Sequence, residues 1–108
     1  MMQDTLLELL RDTTVSLVRR DSPDLTARQQ AVFLTVLLDG GDHTVRGLAE
    51  RLNVSKPAIT RAIDRLEELN FVHRVDDPND HRSIFVKKTP MGSAYLKDMR
   101  KIMAAVAV

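Results

Sequence analysis

Apolar positions keep helical spacing over most of this chain and give way to short β-rich runs in one region only. Leu6, Leu9, Leu10, Thr13, Leu17 and Val18 recur at i, i+3, i+4, which predicts a helix over Thr5 to Arg19 that ends at the turn of Ser22 to Asp24. Thr26 and Gln29 form a capping-box pair that opens a helix over Ala27 to Leu38; Gly40 and Gly41 stop it, with Gly40 as the expected left-handed cap. Thr44 reads as the N-cap of a third helix, with Val45, Leu48, Ala49 and Leu52 on one face. After a tight break at Asn53 and Val54, Ser55 caps a fourth. Pro57 falls in its first turn, where a missing amide donor costs little, and Ile59, Ala62, Ile63, Leu66 and Leu69 form its buried stripe. Phe71 to Val75 and Ser83 to Lys87 read as two strands joined by DDPNDHR, in which Pro78 and Asn79 suit a hairpin turn. Thr89 and Pro90 are N-cap and N1 of a last helix, with Met91, Tyr95, Met99, Ile102 and Val106 on one stripe and Leu96 and Met103 beside it.

Two amphipathic helices across a tight break, followed by a hairpin with a basic tip, make a winged helix-turn-helix. The expected fold class is mainly α with a small antiparallel β wing. Residues 25–88 form the winged domain, with flanking helices at 1–20 and 89–108. The buried stripe of the fourth helix leaves Lys56, Pro57, Thr60, Arg61, Asp64 and Arg65 facing outward. A helix-turn-helix lays the N-terminal half of its second helix in the major groove of DNA, so Lys56, Pro57, Thr60 and Arg61 are the expected base and phosphate contacts. Ser55 and Thr60 are expected to set register, with further phosphate contacts from Arg65, Arg74 and Lys87. The stripes of the two terminal helices are wider than a small wing domain can cover. They predict a homodimer held by Leu6, Leu9, Leu10, Leu17, Tyr95, Met99, Ile102, Met103 and Val106, the alternative being that both helices fold back on their own chain.

Composition narrows the partners. At 108 residues and 44% hydrophobic, the chain suits one core rather than two, and with only Phe33, Phe71, Phe85 and Tyr95 as aromatics that core is mostly aliphatic. A formal net charge of +1 excludes a polycation, so any DNA surface depends on folding to separate the cations of Lys56 to Lys88 from the acids interleaved with them. The absence of cysteine removes disulfides, thiolate metal sites and cysteine redox sensing. His43, His73 and His81 lack metal-ligand spacing, and no phosphate loop or nucleophile-and-base arrangement occurs, so an enzyme is not expected and no cofactor is implied. No apolar run reaches the roughly 18 residues of a membrane span and no signal peptide is evident, which makes a cytoplasmic protein with no membrane partner the expectation.

Leu25, Thr26, Leu48, Ala49, Val54, Ser55, Thr60, Arg61, Asp64 to Glu67, Val72 and Arg74 carry a resemblance, continued by the wing residues Asp77, Pro78, Asp80 and Arg82 and by Thr89 and Gly92. Together they resemble the multiple-antibiotic-resistance regulator (MarR) family of bacterial transcription factors. The resemblance implies a dimeric regulator of transcription, a repressor, that binds double-stranded DNA at a pseudo-palindromic operator. It also implies that Arg82 enters the minor groove while Asp80 holds it, and that a small effector, often aromatic or phenolic, binds between the dimer helices and the winged domain. His81 stands where the family often has another cation, which makes its share of phosphate attraction absent or pH dependent. Relatives usually carry a longer C-terminal part that completes the dimer, whereas this sequence runs out in AAVAV. The rival reading is a winged helix used as a protein-interaction module, which would need neither Arg82 nor Lys56 and Arg61.

Overall fold

The computed structural model describes residues 2–107. The element order is α1 (Met2–Arg19), α2 (Ala27–Leu38), β1 (His43–Thr44), α3 (Val45–Leu52), α4 (Lys56–Glu68), β2 (Val72–Asp77), β3 (Asp80–Lys88) and α5 (Pro90–Val106). Side-chain caps start the helices where the sequence placed them. At α2, Thr26 Oγ1 accepts the Gln29 amide at 3.1 Å and Gln29 Oε1 accepts the Thr26 amide at 3.0 Å. Thr44 Oγ1 accepts from Gly47 at 3.0 Å, Ser55 Oγ from Ala58 at 3.2 Å and Thr89 Oγ1 from Gly92 at 2.9 Å.

Asparagines in the left-handed region end both helices of the helix-turn-helix: Asn53 with φ 55° after α3 and Asn70 with φ 60° after α4. In each case the next amide reaches back five residues, Val54 to the Ala49 carbonyl at 3.1 Å and Phe71 to the Leu66 carbonyl at 2.9 Å. This is the Schellman arrangement, and asparagine tolerates its positive φ better than most residues. At the end of α2 the expectation fails by one residue. Asp39 leaves the helix in an extended conformation, and the positive φ of 92° belongs to Gly41 rather than Gly40. The reversal comes late because His43 must enter a strand, and its Nε2 closes the loop on the Asp39 carbonyl at 3.0 Å.

That strand, β1, is an element the sequence reading lacks. It pairs antiparallel with β3 through His43↔Val86 and Thr44↔Phe85, giving a sheet of order β1-β3-β2. The hairpin is also longer and tighter than expected. Pairing runs on to Asp77↔Asp80, so Pro78 and Asn79 alone turn the chain. Pro78 fixes a negative φ and so excludes the mirror-image turn that two-residue hairpins favour. A register shift between Asp76 and Asp77 accommodates the mismatch, and Asp77 Oδ1 accepts the Asn79 amide at 2.8 Å.

The chain divides into two units, Leu25–Ser93 and Met1–Asp24 with Ala94–Val108. The first turn of α5, expected with the C-terminal helix, thus belongs to the winged unit. Within that unit Val32, Phe33, Ile59, Ile63, Leu66 and Val72 are fully buried. Burying side chains of this size contributes roughly 1.5 to 3 kcal/mol each. The Phe33 and Phe71 rings meet with centroids 5.5 Å apart. Ala58 joins the buried face of α4, while Leu69 at its end is only half-buried.

In the other unit Thr13, Leu96, Tyr95 and Met99 are buried, so Tyr95 and Met99, expected at a dimer interface, are covered already within one chain. Leu9, Leu17, Ile102 and Val106 are half-buried. Exposed apolar surface remains on Leu6 (61%), Leu7 (62%), Leu10 (59%) and Val18 (63%), with Met103 at 41%. Arg20 and Asp98 pair at 3.2 Å. Burial raises the Tyr95 phenol above its ordinary value, the Arg20 charge opposes that and Asp24 adds to it, so the group stays protonated and neutral near pH 7.

Candidate nucleic-acid interface

The cap at Ser55 fixes where α4 begins, and with it which side chains the helix presents. Lys56 and Pro57 occupy its exposed first turn, with Thr60 and Arg61 exposed one turn on. Thr44 forms a strand pair with Phe85, which draws the N-terminus of α3 against the wing. As a result Lys56 and Thr60 of α4, Arg46 of α3, and Asp80, Arg82 and Ser83 of β3 line a single groove. Arg46 was not anticipated. Its outward position on α3 is readable from the spacing of Val45, Leu48 and Leu52, but only the long-range pairing of β1 with β3 puts it beside the wing.

At the wing tip Asp80 Oδ1 accepts the Arg82 backbone amide at 3.0 Å and lies 3.5 Å from Arg82 Nε, while Oδ2 accepts from Ser83 Oγ at 3.3 Å. The Arg82 side chain is nonetheless 95% exposed. Asp80 therefore fixes the backbone from which Arg82 projects and touches only the near edge of its guanidinium. His81 is exposed between them.

Other expected contacts lie apart from this groove. Arg61 sits on a separate concavity with Thr26, Arg28 and Gln29 of the α2 start. Arg65 pairs with Glu68 at 3.3 Å, one turn along its own helix. Lys87 is at the root of the hairpin, paired with Asp42, its ammonium 5.0 Å from the centre of the Phe85 ring.

Arg74 differs most from its expected place at a phosphate. Its Nη1 donates to Glu67 Oε1 at 2.5 Å and its Nη2 to Asp64 Oδ1 at 2.5 Å, with the Thr60 carbonyl 3.4 Å from Nη2. Burial by itself lowers the pKa of this guanidinium, but hydrogen bonds to Asp64 and Glu67 and the charges of both outweigh it, so the result is a rise. These pairings sort the charges that look evenly mixed in the sequence. Asp64, Glu67, Glu68 and Asp42 are taken up, whereas Arg46, Lys56 and Arg61 make no ion pair among the described residues.

Two helices and a hairpin that present cations along one groove have the shape and charge of a known class of regulators. The model of the MarR family matches residues 27–84, more than half of the chain. The chain belongs to the MarR family. The multiple antibiotic resistance protein MarR of Salmonella typhimurium is 38% identical over 71 residues, covering 66% of this chain and 49% of that protein. The chain spans about half the length of this MarR relative. Among solved structures, a transcriptional regulator from Thermotoga maritima shares the fold with a TM-score of 0.81 at 19% identity, over 96% of this chain and 70% of that one. A mutant MarR from E. coli complexed with operator DNA matches with a TM-score of 0.74 at 26% identity, over 98% of this chain and 73% of that one. These relatives are transcriptional regulators and not enzymes. No helix among the described residues is long and apolar enough to cross a membrane.

Proposed function

We propose that this MarR-family chain is a sequence-specific DNA-binding regulator of transcription, a repressor acting as a homodimer on a pseudo-palindromic operator. The observation that carries the reading is the shared groove: Lys56 and Thr60 of α4, Arg46 of α3 and Arg82 of the wing open onto one surface. An α-helix fits the B-DNA major groove, about 12 Å wide, and a hairpin beside it reaches the adjacent minor groove. On this reading Lys56, Pro57, Thr60 and Arg61 meet base edges and nearby phosphates, and Arg46 and Arg65 meet the backbone. Arg82, steadied by Asp80, enters the minor groove, where a narrow width concentrates negative potential. The Lys87–Asp42 pair is half-exposed and so worth about 0 to 1 kcal/mol, little enough for a phosphate to displace Asp42.

The dimer is supported by the exposed leucines of α1. Leu6, Leu7, Leu10 and Val18 present an apolar strip that a second copy would cover across a two-fold axis, joined by Met103. Analytical ultracentrifugation with a labelled random-sequence duplex at low and high salt tests both parts. Two chains per duplex, with affinity falling steeply as salt rises, are expected from a dimer that neutralises several phosphates. Monomeric protein at micromolar concentration with no duplex binding at low salt would turn the reading toward a protein-interaction module.

A further inference from the structure

We propose that Arg74 is a positioning residue that locks the wing to the recognition helix and thereby sets the distance between the two DNA-reading elements. The inference rests on the DNA-binding reading of the groove. Its residues are Thr60, Asp64 and Glu67, spaced i, i+4, i+7, which places them on one face of α4, the face turned toward β2. Three of the five guanidinium N–H groups are engaged along that face, at Glu67, Asp64 and the Thr60 carbonyl. Glu67 Oε2 also accepts the Arg74 backbone amide at 3.0 Å, so the main chain of β2 is tied to the same helix.

Arg74 stands opposite Val86 in the sheet, and β3 runs from there back to Arg82. The wing arginine is thus connected to the recognition helix through two paired strands and one guanidinium. The cluster holds one cation against two carboxylates, which leaves it net negative. With its side chain only 25% exposed, Arg74 is poorly placed to attract a phosphate. Its forked geometry is the useful property. A lysine carries the same charge and cannot bridge Asp64 and Glu67 in this way.

The experiment is a set of equilibrium titrations of the full chain on a selected operator and on random duplex, over a range of salt, for the parent and the variants Arg74→Ala, Arg74→Lys and Glu67→Ala. Positioning predicts that Arg74→Ala and Arg74→Lys both lose roughly 10- to 100-fold in operator binding, with random-duplex binding and the salt slope unchanged. Removal of a phosphate contact would instead weaken all sequences alike and reduce the salt slope by about one per protomer, and lysine would restore most of the loss. Glu67→Ala separates the two by sign. A clamp that loses this partner weakens operator binding, whereas deleting a negative charge beside a phosphate-seeking arginine strengthens it. Thermal melts accompany each variant. Should Arg74→Ala not fold, Glu67→Ala, which keeps the Asp64 bond, carries the sign test alone. Tighter operator binding by Glu67→Ala, or a reduced salt slope for Arg74→Ala with binding restored in Arg74→Lys, overturns the proposal. A parent that binds no duplex at all overturns the DNA reading and the clamp's role with it.

Discussion

A Gly92→Ala variant is expected to be destabilised by about 1 to 3 kcal/mol or more, the cost of forcing an atom into a packed site that cannot yield. The added Cβ would stand 2.1 Å from the Phe71 carbonyl oxygen, 3.0 Å from its carbon and 3.3 Å from its Cα. All three are backbone atoms, so no side-chain rotation relieves the clash. Phe71 is itself fixed from several sides. Its amide bonds the Leu66 carbonyl at 2.9 Å, its ring packs on Phe33, and the preceding Asn70 carbonyl accepts from Thr89 Oγ1 at 2.5 Å. The start of α5 must therefore move away from the end of α4, loosening the junction that carries β2. Each kcal/mol lowers the melting temperature of a domain this size by roughly 4 to 8 °C. Thermal unfolding of Gly92→Ala beside Ser93→Ala, which alters an exposed side chain one residue on, gives the comparison. Equal melting of the two variants would contradict the close approach.

Arg82→Ala should have the opposite character, with stability unchanged and DNA binding impaired. A side chain that is 95% exposed contributes almost nothing to packing, and its contact with Asp80 is an exposed pair at 3.5 Å. Loss of an arginine from the minor groove is expected to cost about 1 to 3 kcal/mol, or roughly 5- to 150-fold in affinity per contact. The loss should be larger on duplexes with A·T tracts at the wing position, because a narrow groove strengthens the potential that Arg82 meets. Asp80→Ala should fall between the two, since it frees the Arg82 amide and the Ser83 hydroxyl while keeping the cation. Competition titrations on duplexes that differ only at the wing position measure this. Equal affinities of Arg82→Ala and the parent on all of them would remove the wing from the interface.

Much of the fold was legible because the features that begin a helix are local. Thr26 with Gln29, Thr44, Ser55 and Thr89 each accept the amide that spacing alone assigned to them. What distant pairing decides was not legible. β1 has two residues, too few to show a period, and exists because His43 and Thr44 meet β3 more than forty positions on. The ends of the hairpin looked like loop because Asp76, Asp77 and Asp80 are polar, yet they pair. Gly40 and Gly41 are equivalent in sequence, and only the route into β1 decides which takes the positive φ.

The same limit applies to the interface. Arg61 and Arg74 look alike as cations near a recognition helix. They differ because β2 returns along the Asp64 and Glu67 face of α4, where two carboxylates meet one arginine and leave the other unpaired. Arg46 was overlooked for the reverse reason, since the wing that makes it part of a groove lies far along the chain. In the terminal helices, periodicity found the apolar stripes but could not say that Tyr95 and Met99 are buried within one chain while Leu6 and Leu10 stay exposed.

The most direct test of the central claim is selection of binding sites from a random duplex library by the parent protein, with Arg61→Ala run alongside. The account predicts a pseudo-palindromic motif whose half-sites lie about 10 base pairs apart, one helical turn. If Arg61 reads a base, its alanine variant should recover the same motif with one position of each half-site relaxed, at a cost of about 1 to 3 kcal/mol. Recovery of no motif by the parent, with binding equally weak at low and high salt, would contradict the assignment of α4 and the wing to DNA.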